Sequence, residues 1–521
     1  MANPTGWKPS MEKGALGGEA QERGAMGATR GLAMEEALVF EQGSPGRIGV
    51  SLPAVPAETD PAAEIPAALL RPEIPGMPEM AELEVVRHFT RLSQWNWGID
   101  TGFYPLGSCT MKYNPKSSEA LARLPGFAGA HPLLPTSMSQ GALQLIFDLE
   151  RALSEIAGFP ATVMSPAAGA QGELAGLMMI RAYHVARGNP RHKVLIPDTA
   201  HGTNPASAAF NGYSTVQLES GPDGRLHPET VAKAMDDDVA AIMITNPNTL
   251  GIFESHIAEI AAIVHARGGL VYGDGANFNA VLGVARPGDM GFDVIQYNLH
   301  KTFATPHGGG GPGSGPVAVK AALVPFLPLP VVVREAGGYR LVTDPRERPQ
   351  TVGKIREFWG NFGMFVRAWA ILREWGPAGV KASGELAVLN ANYVRAALKG
   401  TFNLPYATDS LHEVVFDDKA QKASGVTTMD VAKRLIDHGF HPPTIYFPLV
   451  VHGALMIEPT ETESREMLDS FVAAMKAIAA EAEAAPEAVK AAPLKPVRSR
   501  LDETRAARKP VLRWTPGMKV E

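Results

Sequence analysis

The sequence holds a single cysteine, Cys109, among its 521 residues. One thiol excludes an intrachain disulfide and any zinc site built from several cysteines. Neither sign of charge dominates, because 48 Lys and Arg residues face 54 Asp and Glu residues, for a formal charge of −6. A chain with this balance carries no overall nucleic-acid footprint. We therefore expect neither a nucleic-acid partner nor a cysteine-based metal site.

Long hydrophobic runs are also missing. The longest apolar stretch, AALVPFLPLPVVV at 321–333, is too short to cross a bilayer and contains three prolines. The first residues do not join a basic segment to an apolar one, as a secretory signal does. These features predict a soluble, cytoplasmic protein that has no membrane partner.

The composition of the chain changes along its length, and four segments are predicted. Residues 1–80 form an extension rich in Gly, Pro, Ala and Glu, whose first thirty or so residues are expected to be disordered, whereas the rest could be an arm on a partner. Residues 81–345 form a large α/β domain, and 346–485 a smaller α+β domain. Residues 486–521 form a basic tail, in which Lys and Arg outnumber Asp and Glu.

The large domain shows alternating strands and helices from residue 141 onwards. Helical apolar spacing appears in 141–157 and 172–188, and again after Pro228 and in IAEIAAIVHARG. Between these helices lie short β-rich runs: KVLIPD, STVQLES, VAAIMIT, LVYGDG and VIQYNLH. Strands that alternate with helices of this length indicate βαβ units. The predicted fold class is therefore α/β with a mostly parallel sheet.

Small residues precede one predicted helix, in SPAAGAQGELAG at 165–176. The backbone N–H groups of Gly169, Ala170 and Gln171 could face a phosphate at this helix N-terminus. Small residues before a helix also serve close packing, so the motif alone does not decide between the two interpretations.

Two charged residues follow strand-like runs farther along the chain. Asp274 ends VYGDG, where a carboxylate could bind a ligand, cap a helix or bind a metal. Lys301 lies 27 residues later in HKTFATPHGGGG and, taken alone, could be a surface lysine. In order, however, a phosphate turn, a carboxylate and a lysine match the enzymes that bind pyridoxal phosphate with the aminotransferase-like fold. In these the lysine forms the Schiff base, and the carboxylate keeps the pyridine nitrogen protonated.

Two more polar turns lie between these points. His201 follows the run KVLIP, where an imidazole could stack on a cofactor ring or simply occupy a loop. Asn246 and Thr249 follow VAAIMI, and Asn-Pro pairs are common in turns of no catalytic role. His438 and His441 lack a third ligand at a recognisable spacing, so no metal site is predicted.

Several long segments together are specific to one family. PLGSCTMKYNPK, AAGAQGELAGLMMIRAYH, DTAHGTNPASA, TNPNTLGIFE, DGANFNAVLG and NLHKTFATPHGGGGPG resemble the P-proteins of glycine decarboxylase. More narrowly, they resemble the second subunit of the two-subunit bacterial form, from about Leu38 to the C-terminal KPVLRW. The resemblance implies a fold type I fold, pyridoxal 5'-phosphate as the cofactor and the decarboxylation of glycine.

The resemblance also implies roles for individual residues. The cofactor would be held by the Schiff-base lysine Lys301, the acid Asp274 at the pyridine nitrogen, Ala276 against the ring, the stacking His201, and the phosphate turn Gly169, Ala170 and Gln171. His300 and Thr302 flank the lysine, and Asn246 and Thr249 are further candidate contacts. Lys301, His201 and Asp274 are the expected catalytic residues.

The family's chemistry implies further partners. The aminomethyl group left by decarboxylation would pass to the lipoyl arm of an H-protein, through a channel that residues 102–113 help to line, with Cys109 and Tyr113 among them. A separate subunit 1 would complete an α2β2 assembly. Three alternatives remain: another fold type I amino-acid decarboxylase, a cysteine desulfurase, and a non-catalytic scaffold subunit. The pairing of Asp274 with Lys301 weighs against the scaffold.

Overall fold

The computed structural model describes residues 36–54, 56, 60–71 and 76–515. These residues form two compact units. One contains residues 103–435 and 441–489, and the other contains the described residues of 1–102, 436–440 and 490–521. The disordered start predicted for about the first thirty residues lies outside the described ranges. A boundary between a large and a small domain near residue 345 stays a prediction.

Several helices follow the apolar periodicity of the sequence. Gln140–Ala157, for example, buries Leu143, Ile146, Leu149 and Leu153 on one face and ends at Gly158, which adopts a left-handed φ of 77°. The helices are α1 (Pro61–Glu64), α2 (Glu82–Ser93), α3 (Lys116–Ala122), α4 (Pro125–Ala128), α5 (Gln140–Ala157), α6 (Gly169–Ala186), α7 (Thr203–Phe210), α8 (Pro228–Ala234), α9 (Ile257–Ala266), α10 (Phe362–Leu398), α11 (Thr428–Asp437), α12 (Arg465–Ala484), α13 (Pro486–Lys490) and α14 (Glu503–Arg508). Short 3-10 turns occur at Val39–Glu41, Ala67–Leu69, Thr136–Met138, Pro287–Met290, Ala321–Phe326, Pro345–Glu347 and Gln421–Ser424.

The strands are short, and most are rich in Val, Ile and Leu. They are β1 (Ala161–Val163), β2 (Lys193–Pro197), β3 (Ser214–Leu218), β4 (Val239–Thr245), β5 (Leu270–Gly275), β6 (Val294–Tyr297), β7 (Val317–Val319), β8 (Val331–Glu335), β9 (Gly338–Val342), β10 (Val414–Asp417), β11 (Thr444–Ile445) and β12 (Ala454–Ile457). The five β-rich runs expected from the sequence are thus confirmed as β2 to β6.

A seven-stranded sheet in the order β1-β7-β6-β5-β4-β2-β3 is the centre of the larger unit. Strands β2 to β6 pair in parallel, whereas β7 is antiparallel to both of its neighbours. Apolar clusters cover both faces of this sheet, as a parallel sheet between helices requires. The predicted α/β class with a mostly parallel sheet is confirmed.

The register of this sheet sets the position of the polar strand ends. Thr245, at the end of β4, lies beside Asp274 of β5, and Asp274 lies beside Gln296 of β6. Helix α6 begins at Gly169, three residues before the start that apolar spacing predicts. Because ligands of open α/β sheets bind beyond the carboxyl ends of the strands, a ligand site is expected at this edge of the sheet.

A three-stranded antiparallel sheet, in the order β10-β12-β11, lies later in the chain. Val414 of β10 pairs with Ile457 of β12, so the residues just outside this pair, Glu413 and Glu458, lie at the same end of the sheet. Helix α10 is kinked at Gly376 before Pro377, which divides it into two helical segments.

The smaller unit has contacts of its own. Arg91 of α2 donates to the Glu36 carboxylate, with Nη2–Oε1 at 2.7 Å, and this pairing is the main reason why the pKa of Glu36 is lowered to about 2. Within the predicted basic tail, the N–H groups of Leu494 and Lys495 donate to Asp437. No helix of the described ranges combines the length and apolar character that a bilayer crossing needs.

Candidate active site

A cavity of about 190 Å³ opens at the carboxyl edge of the large sheet, beside the start of α6. It is lined by Ser108, Gly169, Ala170, Glu173, His201, Thr203, Thr245, Pro247, Asn248, Thr249, Asp274, Ala276, Asn277, Asn298, His300, Lys301, His412 and Glu413. The segments that carry the predicted lysine, acid and phosphate turn therefore meet in one place. No cluster of three or more metal-ligating side chains occurs in the part of the chain that the structure describes.

Lys301 lies in the loop that follows β6 and forms part of the cavity wall. Its Nζ donates a 2.7 Å hydrogen bond to the backbone carbonyl of Ser108. Ser108 has a left-handed φ of 64°, an uncommon conformation for a residue other than glycine. The loop around Ser108 therefore keeps the lysine ammonium at the cavity edge.

Asp274 is 3% exposed and is held by donors from three directions. Its Oδ1 accepts from Gln296 Nε2 at 2.5 Å and from the Ala276 N–H at 3.0 Å. Its Oδ2 accepts from Asn204 Nδ2 at 3.0 Å. The carboxylate is thus fixed in one orientation on the cavity wall.

Glu173, one turn into α6, is a site residue that the sequence reasoning missed. Its carboxylate accepts from Thr203 Oγ1 at 2.7 Å, from Asn204 Nδ2 at 3.1 Å and from Ser207 Oγ at 3.2 Å. Burial, and then the charge of Asp274, raises the pKa of Glu173 to about 7. Asn204 therefore links two acids, and the sequence signal for Glu173 was a single acid in the first turns of α6.

The first turn of α6 offers free backbone donors. The N–H of Gly172 donates to Ala168 O at 2.9 Å and makes the first hydrogen bond of the helix. The preceding N–H groups, at Gly169, Ala170 and Gln171, therefore have no acceptor in the helix. A Cβ at Gly169 would lie 3.0 Å from the Asn298 side chain. Any residue larger than glycine would therefore require the Asn298 side chain to shift slightly. These donors are arranged as an anion site requires.

The predicted histidines both line the cavity. His201 Nδ1 lies 2.9 Å from Thr203 Oγ1, and burial lowers the pKa of its imidazole. His300 Nδ1 accepts from the Ser314 N–H at 3.2 Å, and burial lowers the pKa of His300 to about 3. Both rings are therefore neutral near pH 7.

Ala276 and Thr249 also line the cavity, whereas two predicted contacts do not. The side chain of Gln171 turns away to accept from Ala167 N at 2.7 Å and to donate to Ile355 O at 3.0 Å. Asn246 Oδ1 accepts from the Glu254 N–H at 3.0 Å, which closes the turn after β4. These two side chains shape the neighbouring loops instead of facing the cavity, which leaves Gln171 its backbone N–H as a donor.

Thr302 also lies off the cavity wall, and its Oγ1 accepts from the Phe278 N–H at 3.1 Å. Cys109 follows Ser108, and burial raises the pKa of its thiol, so the thiol is protonated near pH 7. His412 and Glu413, from the segment before β10, line the cavity and were not predicted. Their sequence signal, two polar residues directly before the apolar run VVF, resembles that of many ordinary strand ends.

Comparison with known proteins identifies the family. Residues 59–348 match the model of the glycine cleavage system P-protein, and 383–499 match that of the glycine dehydrogenase C-terminal domain. The chain belongs to the P-protein family. A relative from Halalkalibacterium halodurans, named "Probable glycine dehydrogenase (decarboxylating) subunit 2", is 55% identical over 482 residues, which are 92% of this chain and 98% of the relative. A relative of the same name from Bacillus licheniformis is 54% identical over 92% of this chain and 99% of its own length.

Solved structures agree with this P-protein assignment at the level of the fold. A glycine decarboxylase (P-protein) in inhibitor-bound form gives a TM-score of 0.68 at 23% identity, over 80% of this chain and 94% of that one. A glutamate decarboxylase from Lactobacillus brevis gives 0.61 at 14% identity, over 81% and 97%. The fold is that of fold type I pyridoxal phosphate enzymes, which confirms the predicted fold and family.

Proposed function

We propose that this chain is the lysine-bearing subunit of a two-subunit glycine decarboxylase and that it binds pyridoxal 5'-phosphate through Lys301. The observation that carries the proposal is the convergence of Lys301, Asp274 and the N-terminus of α6 on one cavity. In a P-protein, this arrangement supplies a lysine for the cofactor carbonyl, an acid for its ring nitrogen and N–H donors for its phosphate.

The cavity wall fits such a group. Several buried polar atoms there have no hydrogen-bond partner among the described residues: Asn298 Oδ1, Thr245 Oγ1 and both ring nitrogens of His412. Unsatisfied buried polar atoms are costly, so they indicate that a polar ligand or water completes the site. Gly169, Ala170 and Ala276 are small, which leaves space in the cavity for a flat ring and a phosphate.

When bound, the cofactor supplies an electron sink for the electron pair released as carbon dioxide leaves. The part of the protein's own residues would be to hold the cofactor in position. Asp274, oriented by Gln296 and Asn204, would accept a hydrogen bond from the ring nitrogen and so keep that nitrogen protonated, and neutral His201 would be available to stack on the ring. Lys301 would hold the cofactor covalently between turnovers, and its free ammonium is held by the Ser108 carbonyl.

The substrate is glycine, and we assign the lipoyl arm of an H-protein as the acceptor. Carbon dioxide leaves, the aminomethyl group joins one sulfur of the lipoyl disulfide, and the other sulfur takes up a proton. The name "subunit 2" of the relatives supports a separate subunit 1, and we propose an α2β2 complex of the two in the cytoplasm. Residues 102–113, which bring Ser108 to the cavity, are our candidates for the wall of the lipoyl channel.

The three alternatives are less well supported. A cysteine desulfurase needs a reactive thiolate, but burial raises the pKa of the Cys109 thiol. A scaffold subunit has no use for a lysine and a carboxylate facing one cavity, and a simple decarboxylase would release free amine without a lipoyl carrier. Adding the carrier therefore separates a simple decarboxylase from the proposed enzyme.

The absorption spectrum of the purified two-subunit enzyme tests the proposal. We expect a band near the visible edge that borohydride fixes to the peptide carrying Lys301. K301A should abolish this band, and D274N should keep the band but lower carbon dioxide release at least a hundredfold. K320A, which changes a lysine away from the cavity, is the matched control. A band that survives in K301A, or no band in the wild type, would refute the cofactor assignment.

A further inference from the structure

His412 stands out because a polar side chain so deeply buried has no partner. It is 1% exposed and lines the cavity that contains Lys301. Neither Nδ1 nor Nε2 makes a hydrogen bond to any described residue. Glu413 Oε1 lies 3.6 Å from Nε2, which is too far for a hydrogen bond. Such an imidazole points to a ligand that the cavity receives.

The segment that carries His412 is fixed from both sides. Leu411 N–H donates to Gly251 O at 2.7 Å, and Glu413 Oε2 accepts from the Ser108 N–H at 2.8 Å. Gly251 has a left-handed φ of 75°, and a Cβ there would overlap the backbone carbonyl of Glu413. This close approach fixes the backbone from which the imidazole extends.

The charges around His412 define what it can bind. No arginine occurs among the described residues that line the cavity. Burial, and then the charge of Lys301, lowers the pKa of His412 to about 3, so the ring is neutral and carries one N–H donor. Burial, followed by repulsion from Glu458, raises the pKa of Glu413 well above its usual range, which weakens the repulsion of an anion by this carboxyl group.

We propose that His412 binds the carboxylate of the amino-acid substrate, as a neutral donor in place of the arginine that would form an ion pair. The inference rests on the proposed function, because that function supplies glycine as the substrate. Glycine carries only an amine and a carboxylate, so once its amine takes the position of the Lys301 amine, the carboxylate is the group left to recognise.

A neutral donor suits a decarboxylation. A catalyst gains only from contacts that are stronger in the transition state than in the ground state. An arginine ion pair would stabilise the carboxylate that has to be lost as neutral carbon dioxide, whereas a single imidazole N–H orients it and is weaker than a charge-assisted bond. The geometry therefore assigns His412 to orientation of the substrate rather than to tight binding.

The test compares two amines on the assembled two-subunit enzyme carrying its cofactor. Glycine has the carboxylate, and methylamine lacks it, so the spectral change of the bound cofactor gives a dissociation constant for each. In H412L we expect glycine to bind about tenfold more weakly and methylamine to bind as in the wild type. H412Q, which keeps an N–H donor, should recover part of the glycine affinity.

H307L is the matched control, because His307 is another mostly buried imidazole whose Nε2 has no partner among the described residues but which does not line the cavity. It should leave the ratio of the two dissociation constants unchanged. Equal weakening of glycine and methylamine in H412L, or no weakening of glycine, would overturn the proposal. If H412L does not retain the cofactor, H412M replaces it, since methionine fills irregular space without an N–H.

The two hypotheses fail in different ways. A wild-type enzyme without a cofactor band at Lys301 refutes the proposed function. A wild-type enzyme that has the band and responds to glycine, beside an H412L variant with the same response, refutes the role of His412 alone.

Discussion

Lys301 and Ser108 are joined by a 2.7 Å hydrogen bond from the lysine ammonium to a backbone carbonyl. The N–H of the same Ser108 donates to Glu413, and the next residue but one, Thr110, donates to Glu458 through its N–H and hydroxyl at 3.0 and 2.7 Å. Two acids at one end of the small sheet thus hold the loop on which the lysine rests. Changes in that sheet are therefore transmitted to the lysine.

The first prediction concerns this loop. E458A leaves the buried N–H and hydroxyl of Thr110 and the amide of Asn277 without their acceptor. We expect a loss of about 2–4 kcal/mol in the free energy of unfolding, measured by urea denaturation. E458Q keeps an acceptor oxygen and should lose less than half as much. Equal losses in the two variants would show that the hydrogen bonds do not hold the loop.

The second prediction concerns pH. Because the pKa of Glu173 is raised from 4.5 to about 7, the folded protein keeps a proton that the unfolded chain has released between these values. Stability therefore falls as the pH rises through that window, by up to about 3 kcal/mol from this group. E173Q has no such proton, so between pH 5 and pH 8 it should lose less stability than the wild type. Parallel falls in the unfolding midpoints of both proteins would contradict this.

The third prediction concerns the turn before α6. A Cβ at Gly315 would overlap the backbone carbonyl of Ala168, which precedes the free N–H donors. G315A should destabilise the protein by about 1–3 kcal/mol and weaken cofactor binding, both measured on the purified enzyme. Gly141 has open space around its Cβ position, so G141A is the matched control and should be neutral or slightly stabilising. Unaltered cofactor affinity in G315A would count against a phosphate site there.

The fourth prediction concerns the proposed lipoyl channel. Tyr113 is 40% exposed and lies five residues after Ser108 of the cavity wall. Y113A, and C109A in the same loop, should raise the KM for lipoylated carrier severalfold without changing the glycine dissociation constant. F210A removes an aromatic ring that is 83% exposed elsewhere and should change neither quantity. Unchanged transfer in Y113A and C109A would remove the channel hypothesis.

The sequence was sufficient for the five parallel strands β2 to β6 of the large sheet, because they are apolar runs bounded by turns, and for bringing Lys301 and Asp274 to one edge; β1 and β7 were not predicted. It was not sufficient for Glu413 and Glu458. Those acids meet only because Val414 pairs with Ile457, and the register between strands forty residues apart is decided by packing that no local pattern records.

The directions of individual side chains could not be predicted from the sequence either. Gln171 and Asn246 belong to the predicted turns, yet their side-chain oxygens accept hydrogen bonds from backbone N–H groups of neighbouring loops. Glu173, by contrast, lines the cavity but was not predicted, because an acid at the start of a helix is usually exposed and stabilises the helix dipole. Only the arrival of Thr203, Asn204 and Ser207 from α7 makes it part of the site.

The reversed direction of β7 has a consequence for how the chain can be altered. Since β7 is antiparallel to β6, the connection between them leaves the sheet and returns at the same edge, so residues 298–316 form one excursion whose two ends are neighbours. Gly309 and Gly310 in it are exposed and have open space around them. Residues inserted there would lengthen a surface loop, and new chain ends made there would open it. In both cases every strand pairing should stay intact.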